Sequence, residues 1–165
     1  METARWVSLV AATVTMGLVS GLFYGFSVAV MPGLRLVGDR TAVEVMQRVN
    51  TAILNGWFLL GYLGAFVFTA LALLLHVPST GRDVLPALIA ALVCCGASMA
   101  VTAKVNIPLN NALEHAGPAA TLGDPASVRR AFEGPWVRAN VWRTLLSTAG
   151  VALLAWSLYL EGGIA

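Results

Sequence analysis

VLPALIAALVCCGASMAVTAKVNIPLNNAL, residues 84–113, holds an unbroken uncharged run, then a lysine, then three asparagines around a proline. At 1.5 Å per residue the run Val84–Ala103 reaches about 30 Å, the thickness of a bilayer's hydrocarbon core. It reads as a membrane-spanning helix whose end is marked by Lys104, a cation able to snorkel to the headgroups. The amides that follow are neither charged anchors nor lipid-friendly. Asn106 and Asn110 lie four apart and share a face if the helix continues past Pro108, which deletes a backbone donor and loosens that turn.

Working outward, Trp6–Met31 and Phe58–Leu75 are also free of charge, and Leu145–Leu160 reaches span length once Trp142 and Thr144 are included. Of the 165 residues 58% are hydrophobic and 11% charged, against about 25% charged in soluble domains. The expected architecture is all-α: a single integral membrane four-helix bundle over residues 1–165, with spans near 6–31, 57–77, 84–107 and 142–161. The first run is too long for a signal-peptide core and is followed by Met31-Pro32-Gly33 rather than a cleavage site, so it reads as a retained helix. Pro32 is expected to end it.

Eight of the ten Lys and Arg residues (Arg35, Arg40, Arg48, Lys104, Arg129, Arg130, Arg138, Arg143) fall on one side of such a bundle, with Arg5 and Arg82 on the other. The positive-inside rule then puts both termini outside and both long connections in the cytoplasm, in the cytoplasmic membrane. The expected partner is the lipid bilayer, with no nucleic acid.

Gly17, Gly21 and Gly25 form a small-residue stripe on the first helix, open to a close helix contact inside the bundle or between copies in a homo-oligomer. Cys94 and Cys95 are adjacent in mid-span and read as packing residues. His76 reads as an interfacial residue in a turn. His115 has no second ligand at a metal spacing and reads as a solvated loop residue.

Before the second span, Thr41-Ala42-Val43-Glu44 has capping-box form, and Glu44 and Arg48 make a favourable i,i+4 pair. Val43, Met46, Asn50, Ile53 and Trp57 then trace one helical face, giving an amphipathic helix expected to run on past Gly56 into the span. Asn50 on that face needs a partner, or its burial costs about 1–3 kcal/mol. Pro125–Phe132 reads as a short helix lying along the membrane.

Asn50 and Asn55 fall at the same end of the bundle as Asn106 and Asn110. So do Trp136, Asn140 and Arg143, spaced four and three apart on the fourth helix. A charge at the start of a span is costly unless paired or in a wet cavity, which singles out Arg143. Two readings stay open at this point: a polar pocket, or amides capping helix ends while Arg143 snorkels.

Three segments, VMQRVNTAILNGWF, KVNIPLNNAL and WVRANVWRTLLS, resemble the anthrone oxygenase-like family of small four-helix membrane proteins. The family pattern falls on Met46, Gln47, Asn50, Ile53, Asn55 and Phe58, then on Asn106, Pro108, Leu109 and Asn110, then on Trp136, Asn140 and Arg143. Gly56 departs from it, since a proline often follows the asparagine there. The resemblance implies a four-helix membrane fold. For some members it also implies oxidation of anthrones to anthraquinones by dioxygen.

On that reading a phenolic ring stacks on Trp136 or Trp57, while Gln47 and Asn55 help to bind it. Arg143, Asn50, Asn106, Asn110 and Asn140 stabilise the enolate oxygen as a ring proton is lost. The base is the weak point: only Glu44 or a bound water offers itself. No metal set, haem motif or dinucleotide fingerprint stands in the sequence, so the chemistry is expected to be cofactor-free. The competing reading is a binding or accessory membrane protein whose Asn/Arg cluster is structural. Coupled transport is disfavoured because no charge lies deep in a span. A cavity of roughly 300 Å³ or more separates binding from architecture.

Overall fold

The computed structural model describes residues 2–78 and 82–164. Its main helices are α1 (Glu2–Gly25), α2 (Met31–Leu34), α3 (Asp39–Ala52), α4 (Gly56–His76), α5 (Leu85–Val101), α6 (Ile107–His115) and α7 (Pro125–Ile164). No strand occurs among the described residues. Four helical stretches are long and apolar enough to cross a membrane: Glu2–Leu34, Gly56–His76, Leu85–His115 and Pro125–Gly163. Their outward faces carry Leu18, Leu60, Leu63, Val67, Leu74 and Val93, all exposed, as lipid contact requires. Each span packs beside the next, and α7 closes the ring against α1, an up-down-up-down bundle.

Neither proline ends its helix. Phe26–Val30 and Thr102–Asn106 are single π-helical turns, closed by Met31 N–H to Phe26 C=O and by Ile107 N–H to Thr102 C=O. Each turn stands just before a proline, Pro32 or Pro108, at the first turn of the next helical segment. There a proline's missing donor and fixed φ cost little, so the helix runs on.

Three other expectations are corrected. The amphipathic α3 does not continue into the second span. It stops at Ala52, and α4 starts afresh at Asn55, which is extended and whose side chain accepts from Phe58 N–H at 3.0 Å. No capping box forms at Thr41, because the helix begins two residues earlier, after Gly38. Pro125–Phe132 is no separate surface helix but the start of the 40-residue α7, with Asp124 capping Ser127 N–H at 3.0 Å.

The glycine stripe Gly17, Gly21 and Gly25 makes no close approach within the chain, and a Cβ added at any of them meets nothing. Close packing falls elsewhere. A Cβ at Gly64 would sit 3.3 Å from the Thr15 methyl, and one at Gly150 would sit 3.3 Å from the Met16 methyl.

Burial on α7 recurs every three to four residues through Phe132, Trp136, Asn140, Arg143, Ser147, Gly150, Leu154, Ser157 and Glu161. This one stripe faces two apolar cores. Leu9, Met16, Ala65, Leu88, Cys95 and Leu154 fill the end near the termini. Met31, Val43, Met46, Leu113, Phe132 and Trp136 fill the cap formed by α2, α3 and α6. A polar layer separates the two. At the far end, away from that layer, His76 is fully buried rather than interfacial: its Nε2 lies 3.3 Å from Glu161 Oε2, and Arg5 Nε donates to Glu161 Oε1 at 3.2 Å.

Candidate functional site

The polar layer encloses a cavity of about 170 Å³ where both π turns, the α3–α4 junction and α7 meet. Phe23, Phe26, Ile53, Phe58 and Leu59 make most of its wall apolar, and Asn50, Tyr62, Thr102, Asn106, Asn110, Trp136 and Arg143 add the polar groups. This falls short of the roughly 300 Å³ expected of a binding site, although an apolar cavity of ~150 Å³ takes up benzene, so the space has room for one aromatic ring.

Arg143 is buried and held from several directions. Its Nη2 donates to Asn140 Oδ1 at 2.7 Å, and Nη1 lies 3.5 Å from Thr102 Oγ1. The guanidinium stacks 4.2 Å from the Phe23 ring centre and 5.3 Å from that of Trp136. These cation–π contacts offset part of the lost hydration without neutralising the charge. Among the described residues no carboxylate pairs with it within 4.0 Å.

Asn140 fixes this arrangement without lining the cavity. Its Nδ2 donates to Phe23 C=O at 2.9 Å and to Ser27 Oγ at 2.8 Å, so its amide locks α1 to α7 while its oxygen aims the arginine. Trp136 is similarly anchored, donating from Nε1 to Asn110 Oδ1 at 2.9 Å and packing between Phe26 and Phe132. Asn106 Nδ2 reaches Trp136 C=O at 3.5 Å.

Three buried polar atoms here have no protein partner: Arg143 Nε, Asn106 Oδ1 and Asn50 Nδ2. Orphaned buried groups are rare, and three around one cavity mark a place where a ligand or water completes the bonding. The set offers two donors and one acceptor in an apolar surround.

The fold therefore brings Asn50, Asn106, Asn110, Trp136 and Arg143 to one cavity, with Asn140 behind Arg143. Four sequence candidates lie elsewhere. Trp57 is 85% exposed, because the break at Asn55 turns it away from the Asn50 face. Asn55 serves as the α4 cap. Gln47 donates to Leu113 C=O at 3.0 Å and Gly117 C=O at 2.9 Å, closing the end of α6 where Gly117 turns with φ of +93°. Glu44 pairs with Arg48 beside Gln47 in a separate shallow depression and is no base for this cavity.

Phe23, Tyr62 and Thr102 escaped sequence reading. Tyr62 lines the same cavity as Thr102 and Arg143. An aromatic hydroxyl inside an otherwise apolar span was the available signal. Among the described residues, no three His, Cys, Asp or Glu side chains converge to hold a metal ion.

Over residues 51–153 the chain matches the sequence profile described as anthrone oxygenase. It belongs to that family. The anthrone oxygenase segment covers Ile53, Tyr62, Thr102, Asn106, Asn110, Trp136 and Arg143, while Phe23 and Asn50 reach the same cavity from outside it. Neither curated proteins nor solved structures gave a match.

Proposed function

We propose that the cavity binds one ring of a flat phenolic compound and that the protein oxidises that compound with dioxygen, as its family description suggests. The observation that carries this reading is the trio of orphaned atoms, Arg143 Nε, Asn50 Nδ2 and Asn106 Oδ1, set in an apolar wall. A ketone or phenolate oxygen takes the two donors, and a neighbouring hydroxyl meets the acceptor.

Loss of a proton from the ring methylene places negative charge on that oxygen, beside the fixed Arg143 cation. A preorganised donor of this kind is worth about 3–4 kcal/mol of barrier. The carbanion then gives its electrons to dioxygen. One oxygen atom stays as the new carbonyl and the other leaves with two protons as water. Among the described residues the lining holds no carboxylate or imidazole, so the ring proton passes to a bound water. The cation distribution supports a cytoplasmic setting for this end of the bundle, with both termini outside.

The same lack of a carboxylate or imidazole favours a second reading, a binding protein without catalysis. Oxygen uptake by the purified protein with anthrone separates the two. Catalysis predicts uptake above the autoxidation background, lost in a folded Arg143→Gln variant. Rates equal to buffer for the wild type reject catalysis on this substrate.

A further inference from the structure

The cavity has an open side, and its frame is informative. Three lining residues are strongly exposed: Leu54 (71%), Leu59 (43%) and Ile107 (47%). All three are apolar, and they join an exposed apolar surface that includes Leu60, Leu63 and Val105. In a spanning bundle such a surface faces lipid, not water.

Toward the cap the route is shut. Trp136 is buried, wedged between Phe26 and Phe132 with ring centres 5.5 and 6.0 Å away and tied to Asn110. Exposed Trp57 and Trp142, with Lys104 between Thr102 and Asn106, mark the height as the headgroup boundary.

We infer that the cavity is loaded sideways from the bilayer, through a portal framed by Leu54, Leu59 and Ile107. Its ligands are uncharged aromatic phenols or ketones already dissolved at the membrane interface. This rests on the reading that the cavity binds a phenolic ring. The ring slides from lipid past apolar side chains, and its oxygen meets Arg143 only once water is excluded. Selection is then made in two steps, partition into lipid first and polar recognition second.

The test uses the full chain in phosphatidylcholine vesicles with 1-naphthol as a fluorescent probe, following association and dissociation by stopped flow. Leu59→Trp and Ile107→Trp narrow the portal but leave the polar groups in place. The association rate is expected to fall about fivefold in both, because a bulky rim side chain must leave its rotamer for the ring to pass. Val93→Trp, on lipid-facing surface away from the rim, is expected to change neither rate. Unchanged rates in both rim variants, with binding still weakened by Arg143→Gln, overturn the portal and leave the cavity reading intact. No saturable naphthol binding, or binding indifferent to Arg143→Gln, overturns both.

A second readout needs no variant. Naphthalene-1-sulfonate has a charge that Arg143 would welcome, but it does not dissolve in the bilayer. Its failure to associate supports the portal, and association as fast as that of 1-naphthol overturns it.

Discussion

Replacing Glu161 by alanine tests whether the buried ionic cluster at the far end of the bundle holds the helices together. Glu161 is 7% exposed and His76 is fully buried. The carboxylate accepts from Arg5 on α1 at 3.2 Å and meets His76 of α4 at 3.3 Å, so one side chain of α7 ties three helices. The hydrogen bond from Arg5 to a charged acceptor is worth about 1.5–3 kcal/mol, and the close contact with buried His76 adds to it. Arg5 is partly exposed and recovers some hydration when released, so the expected loss is about 2–3 kcal/mol, below the 3–5 kcal/mol of a fully buried broken pair. Glu161→Gln keeps an acceptor and the volume, and should lose about half as much. The assay is reversible unfolding in mixed micelles titrated with dodecyl sulfate. A double cycle with His76→Ala should give a coupling of ~1–2 kcal/mol. A Glu161→Ala protein within about 1 kcal/mol of wild type would refute the reasoning, since that is the scale of an exposed pair.

Other expectations are simpler. Asn55→Ala removes the α4 cap and should cost about 1 kcal/mol, with faster hydrogen exchange at Phe58. Trp136→Phe keeps the ring but forfeits the bond to Asn110, so thermal unfolding should show a loss of about 1 kcal/mol. Asn140→Ala frees Arg143 and leaves the Phe23 carbonyl and the Ser27 hydroxyl oxygen without their donor. It should cost ~2–3 kcal/mol and weaken 1-naphthol binding, as seen by titration. Gly64→Val forces side-chain atoms against Thr15 and should destabilise by ~1–3 kcal/mol in the same micelle assay, whereas Gly21→Ala, in open space, should be neutral or gain up to ~1 kcal/mol.

The four spans were legible because hydropathy over twenty residues is a local property that packing does not overrule. The gathering of Asn50, Asn106, Asn110, Trp136 and Arg143 was legible too, since each lies at the same end of its span. Facing direction was harder. Extending α3 through Gly56 put Trp57 on the Asn50 face, but the Asn55 cap restarts the helix and changes the phase. Pro32 looked like a terminator and Pro108 like a loosened turn because a π turn, which depends on tertiary fit, has no local residue signal. The Arg5–Glu161–His76 cluster was missed for another reason. Its members stand near different helix ends, 156 residues apart at the extreme, and each alone resembles an ordinary interfacial anchor.

The π turn at Thr102–Asn106 also bears on how this gene can change. The turn is one residue longer than an α-helical turn would be, with Ala103, Lys104 and Val105 facing out and Thr102 and Asn106 facing in. Swapping an outward residue alters little. Deleting one would let an unbroken α-helix form, because the bond from Ile107 to Thr102 would then close an ordinary i→i+4 turn and the chain beyond would keep its direction. A deletion in the flanking helix, which has no spare residue, would instead wind the following chain by about 100°, and Asn106 and Asn110 would swing away from Arg143. Drift should therefore be free in spelling throughout, tolerant of one lost residue inside the turn and strict in length on the span before it.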